Sequence, residues 1–181
     1  MAEISSIPFA TDTFLWGIAS TGVGATAMGQ SFSAGVSGKL TSVHFKLKKS
    51  GAPTGTMTVK IYAHSGTFGI SSVCGALLAT STGIAVSSLT TTSTDTTFSF
   101  TGVEKIDLVS GTNYVVILDG VTGNAGNYVA TGYFTASGYA GNLVYYNAGW
   151  LPSGTGDMGN IVNGDVASVV TNPSSPFYNL S

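Results

Sequence analysis

Charge is scarce in this sequence. Only 8% of its residues are Asp, Glu, Lys or Arg, against about a quarter in an average soluble protein. Six basic residues cannot build the field that holds a phosphate backbone, so nucleic acid is an unsuited partner. Lys39, His44, Lys46, Lys48 and Lys49 do cluster, in the pattern of one solvated strand face. Cysteine occurs once, at Cys74, which rules out an intrachain disulfide and reads as a buried or inert thiol. Long apolar runs are missing too, so no segment reads as a membrane span. The start, Met1-Ala2-Glu3-Ile4-Ser5-Ser6, lacks the basic and apolar regions of a secretory signal. The expectation is a protein used without export, or a mature fragment of an exported one.

Catalytic and metal-binding constellations are equally sparse. The two histidines, His44 and His64, show no metal-ligand spacing. The eight acids form no calcium-loop motif, and Glu104 and Asp107 are separated by Lys105. No cofactor is expected, calcium held by carbonyls and a single Asp being the one candidate left open. Gly22-Val23-Gly24 precedes no helical pattern, so a phosphate-cradling loop is not supported. These observations point to a non-enzymatic chain.

Hydrophobic residues make up 43% of the chain and the net charge is only -2, a balance opposite to that of disordered segments. Strand signals fill it. Val43, Phe45 and Leu47 alternate with His44, Lys46 and Lys48, the period of a strand with one wet face. Met57, Val59 and Ile61 repeat the pattern after the turn residues 50–55, so these two strands are expected to pair as a hairpin. Tyr114–Leu118 is continuously apolar, as in a central strand. Shorter candidates lie at 77–80, 84–86, 96–100, 103–108, 127–134 and 142–147. No helical pattern with caps appears, and at most one helical turn is expected. Roughly eight to ten short strands with Gly, Ser and Thr turns indicate an all-β, antiparallel, jelly-roll-like sandwich. It is expected over residues 28–147, with extended arms at 1–27 and 148–181.

Aromatic residues are the features with binding potential. Phe9, Phe14, Trp16, Phe177 and Tyr178 sit in the arms, where they can dock on the same domain or on a neighbouring subunit. Tyr128, Tyr133, Phe134, Tyr139, Tyr145, Tyr146 and Trp150 crowd the last third. Tyr is a good strand former, which accounts for most of them. Tyr133, Tyr139 and Trp150 are the candidates for exposed contacts to a glycan or a partner, because flat aromatic faces beside hydroxyl and amide groups suit sugar rings.

A series of short motifs runs through residues 29–118: Gln30-Ser31-Phe32, Leu40-Thr41-Ser42-Val43, Gly51-Ala52-Pro53-Thr54-Gly55, Val59-Lys60-Ile61-Tyr62-Ala63, Leu77-Leu78-Ala79-Thr80-Ser81, Ser87-Ser88-Leu89-Thr90-Thr91 and Gly111-Thr112-Asn113 ahead of the Tyr114–Leu118 run. In order and content it resembles the β-sandwich module of bacterial surface-anchored proteins of the "choice-of-anchor" type, and is similar to modules in phage structural proteins. The resemblance covers about half of the chain. It implies a sandwich used for display, adhesion or carbohydrate binding, and supplies no catalytic residues. With no export signal in view, the expected role is a phage virion-surface component: a capsid decoration, head fibre or tail part. Such a part would assemble with itself or with other virion proteins through sheet edges and aromatic arms, with glycan adhesion as a second role. The alternative is an exported, extracellular or cell-surface carbohydrate-binding or adhesive module.

Overall fold

The computed structural model describes residues 2–9, 15–18, 25–134, 139–153 and 156–166, with the backbone alone at 15–17 and 133–134. In chain order the strands are β1 (Ala2–Ile7), β2 (Leu15–Ile18), β3 (Ala27–Ser33), β4 (Gly38–Ser50), β5 (Thr56–Ser65), β6 (Val73–Thr80), β7 (Ile84–Ala85), β8 (Thr94–Ser99), β9 (Asp107–Leu108), β10 (Asn113–Asp119), β11 (Tyr128–Phe134), β12 (Leu143–Tyr146), β13 (Trp150–Ser153), β14 (Asp157–Met158) and β15 (Asn160–Asp165). Two 3-10 turns, Val86–Ser88 and Gly102–Glu104, are the helical elements among the described residues, one more than expected. The fold is the all-β, antiparallel two-sheet sandwich that the alternation predicts.

The eight-stranded sheet is built on β4. One edge of β4 pairs with β15 and then β11, the other with β9 and then β8. β1 lies beyond β15, while β2 and β14 pair with β11. The seven-stranded sheet runs β13-β12-β3-β10-β5-β6, with β7 also on β5. Inward side chains of both sheets fill one core. Val43, Phe45 and Leu47 meet Met57, Val59 and Ile61, with Met28, Phe32, Val116 and Leu118 between them. Phe45 and Phe98 pack edge to face, 6.4 Å apart, the arrangement that the ring quadrupoles favour.

Two expectations are corrected here. β4 and β5 do not form a hairpin: they belong to different sheets. Both bury their alternating apolar faces, and two such faces bury more by opposing each other across a core than by lying side by side. Residues 51–55 therefore arch between the sheets, held by the paired hydrogen bonds of Thr54 and Thr122 (2.9 and 2.8 Å). The stretches expected as arms, 1–27 and 148–181, also contribute strands. β1, β2, β13, β14 and β15 pair into the two sheets. Phe9 is half-buried outside any strand, with its Cα close against Gly159. Phe14, Phe177, Tyr178 and the side chain of Trp16 lie outside the described residues.

The apolar run of β10 has a particular cause. Val116 and Leu118 face the main core, while Val115 and Ile117, on the opposite face, are also fully buried. The seven-stranded sheet curls so far that β13 comes against β6, although they stand at opposite ends of the strand order. The curl encloses a second, smaller core of Ala27, Val115, Ile117 and Val144, covered by Tyr62, Cys74 and Trp150.

A polar tie crosses between the sheets. The Gln30 amide on β3 donates to the Asp157 carboxylate on β14 (2.5 Å), and the Gln30 oxygen accepts the Met158 N–H (2.9 Å). Gln30 and Asp157 are 0% and 5% exposed. Burial holds the Asp157 carboxyl above the usual carboxylate range, and the Gln30 hydrogen bond opposes that shift only in part. Between the unfolded pKa, about 3.9, and this raised value, the folded state holds a proton that the unfolded chain has lost. Stability therefore falls as pH rises through that window, and the loss persists above it. Asp157→Asn keeps the acceptor for Gln30 and removes the titration. Urea midpoints measured from pH 3 to 8 are expected to show the variant gaining on the wild type as pH rises; a variant that falls behind with rising pH would contradict this.

Candidate functional site

Trp150 enters the site from an edge strand. Pro152 is tolerated two residues on, because a proline without an N–H fits a sheet edge. Its indole packs against Tyr62 (5.5 Å between ring centroids) and Tyr146 (5.1 Å), both edge to face. It is half-buried, so this residue acts as a lid on the second core rather than as a free platform. In the same cover, burial raises the Tyr62 hydroxyl and pushes the Cys74 thiol up to about 12, which keeps that sulfur protonated and unreactive at neutral pH. Lys60 forms an ion pair with Asp119, and its hydrogen bond to that carboxylate raises the ammonium pKa above its ordinary value.

Tyr139 lies elsewhere. It borders a cavity of about 150 Å³ with Ser5, Ser33, Phe32 and Phe68, where β1 of one sheet meets the end of β3 of the other. Trp150 is not among the residues lining it. Tyr133 contributes backbone pairing to Met158, and its side chain lies outside the described residues. The three aromatic candidates therefore do not converge on one site. A broader open depression of about 530 Å³ lies at the start of β4. There Lys39 stands in register between Asp107 and Asp165 and bonds Asp107 (3.2 Å) across exposed surface.

Compared with known proteins, the chain matches no family model, no curated protein and no solved structure.

Two imidazoles are held by hydroxyls. His44 Nε2 lies 3.2 Å from Ser42 Oγ, and its Nδ1 lies 3.1 Å from Thr97 Oγ1 and 3.5 Å from Asp95 Oδ1. This order, serine to histidine to acid, is the one nucleophilic hydrolases use. The surroundings differ. Ser42 is only 4% exposed. It also pairs on both sides, with β15 and β8, so the neighbouring amides are engaged in the sheet rather than aimed at a developing oxyanion. His64 bonds Ser72 Oγ (2.8 Å) beside Phe68, and burial lowers its pKa. Among the described residues, no three of His, Cys, Asp and Glu come together to hold a metal ion. No helix of the described residues is long and apolar enough to cross a membrane.

One surface was missed by sequence reasoning. β6 ends the strand order of its sheet and carries no charge and no proline. Leu77 and Leu78 on it are 52% and 39% exposed, and Val103 in the adjoining 3-10 turn is 92% exposed. At the end of β6 the Glu104 carboxylate accepts the Thr80 N–H (2.6 Å), closing the edge there. The signal was present as an uncharged eight-residue stretch, but its edge position depends on pairings that the sequence does not display.

Proposed function

We propose that this chain is a non-enzymatic structural module that assembles with further copies of itself on the outside of a particle. The observation that carries this reading is the unpaired, uncharged edge of β6. An unpaired strand edge presents a row of backbone donors and acceptors that only another extended chain satisfies, and soluble proteins block such edges with lysine, proline or a covering loop. β13 bears Pro152, β1 carries Glu3 and β8 carries Asp95. β6 carries neither lysine nor proline; β13 approaches it and Glu104 closes it only at Thr80, while Leu77 and Leu78 on it and Val103 beside it stay exposed. A net charge of -2 opposes the approach of a second copy only weakly. The occupant we favour is the β6 edge of another copy, which lays like on like around a two-fold axis. The particle we favour is a phage virion, on the resemblance of residues 29–118 to phage structural modules.

Light scattering of the purified chain is expected to give a mass that is a multiple of the single chain. Leu78→Lys places a charge on the edge and is expected to weaken assembly by at least about tenfold in Kd, leaving the far-UV circular dichroism unchanged. Gradient-purified particles are expected to carry the chain. A wild type that stays monomeric at high concentration and sediments with no particle overturns the reading.

A further inference from the structure

We infer that the cavity between β1, the end of β3 and the β5–β6 loop is a subsite for one neutral pyranose ring, the terminal residue of a glycan. The inference is independent of assembly through β6. Size sets the first limit. At about 150 Å³ the space equals roughly five waters at about 30 Å³ each, and falls short of the roughly 300 Å³ at which sites for drug-sized ligands and cofactors begin. One sugar ring fills it.

The lining sets the second limit. Phe32, Phe68 and Tyr139 supply aromatic surface, and Ser5, Ser31 and Ser33 supply hydroxyls; among the described residues no Asp, Glu, Lys, Arg or His borders the space. A phosphate, sulfate or carboxylate would enter without a cation to meet it, which is costly for a charged group leaving water. A purely apolar ligand would leave hydroxyls unpaired. A neutral ring has weakly apolar C–H faces for the aromatics and a rim of hydroxyls for the serines. Ser31 is already committed, accepting the Asn142 N–H (2.8 Å) and fixing the back wall. Ser5 and Ser33 have no such commitment among the described residues. Ser6, also on the wall, donates to Glu3 (2.5 Å), which leaves its oxygen oriented as an acceptor.

Preorganisation sets the third limit. Phe68 sits in a loop closed by its own hydrogen bonds: the Ile70 and Ser71 amides to the Thr67 carbonyl, the Thr67 amide to Ser71 Oγ, and the Gly69 amide to Ser72 Oγ. His64 packs against the Phe68 ring at 5.6 Å and bonds Ser72. Gly69 has φ +74° and lies so close to the 139–141 segment that a Cβ there would fall 2.3 Å from the Ala140 carbonyl oxygen. The loop is thus seated on the opposite wall, and the aromatic side chain is held in place before any ligand arrives. Fixed geometry of this kind lowers the cost of binding.

Ligand-observed NMR of the full chain with a panel of methyl glycosides tests this, with a sialic acid glycoside and a hexose phosphate as charged controls. Binding of at least one neutral glycoside is expected with Kd on the order of 1 mM, and weaker or no binding of the charged controls. Phe68→Ala is expected to raise that Kd by about tenfold, and Ser33→Val by a few-fold, with thermal midpoint and oligomeric mass unchanged. Leu78→Lys, which addresses the β6 edge, is expected to bind as the wild type does. A glycan array read with the same variants separates a free monosaccharide ligand from a chain-terminal one. The inference is overturned if no neutral glycoside binds, if charged controls bind better, or if Phe68→Ala and Ser33→Val bind unchanged.

Discussion

Gly29→Ala is expected to prevent folding, with a destabilisation of more than about 4 kcal/mol. Gly29 lies in β3, in register with Ile117 of β10 on one side and Val144 of β12 on the other. A Cβ built on it would stand 1.7 Å from the Val116 carbonyl oxygen, 2.6 Å from that carbonyl carbon and 2.8 Å from the Ile117 Cα. All three are backbone atoms in the middle of the sheet, so no rotamer change relieves the overlap. The strands must separate, and with them goes the pairing that holds both cores. Expression followed by circular dichroism and urea titration measures this; a Gly29→Ala chain with a wild-type midpoint would show that β3 and β10 do not approach this closely.

Trp150→Ala is expected to cost about 3 kcal/mol and to lower Tm by roughly 6–12 °C. The indole closes the curl of the seven-stranded sheet against Tyr62 and Tyr146, over Ala27, Val115, Ile117 and Val144. Removing it opens that core to water without touching the main one. A second readout follows from the same geometry. The Cys74 thiol shares this cover, so it is expected to react with a thiol reagent in folded Trp150→Ala and to stay protected in the wild type. If Trp150 served only as an exposed ligand contact, as its place in an aromatic-rich tail suggests, neither stability nor thiol protection would change.

What the sequence revealed depended on whether a strand kept a regular period and one wet face. β4 does both, and Val43, Phe45 and Leu47 could be placed in the core by alternation alone. β10 betrays itself differently: Tyr114–Leu118 is apolar at every position because both of its faces are buried. β1 hides its nature, because a register shift between Glu3 and Ser5 puts the buried Ile4 and Ile7 three apart, a spacing that is not a strand period. β15 turns Asn160, Val162 and Gly164 inward, so only one of its three buried positions is apolar enough to signal a strand. β13 contains a proline and follows a glycine, which reads as loop. The hairpin expected from β4 and β5 failed for a related reason: alternation tells which face is buried but not which strand lies alongside. Among the site residues, Tyr139 was legible as an exposed aromatic. Its neighbours Phe68, Ser5 and Ser33 were not, since they come from three segments that meet only in the folded chain.

The position of β15 carries a consequence for folding. It lies between β1 and β4, with Gly164 in register with Ala2 on one side and Leu40 on the other. Until residues 160–165 are in place, β4 keeps a bare flank over residues 39–44 and β1 has no strand to pair with. Closing the eight-stranded sheet therefore means joining segments more than a hundred residues apart, a step that is slow and leaves that flank open to other chains in the interval.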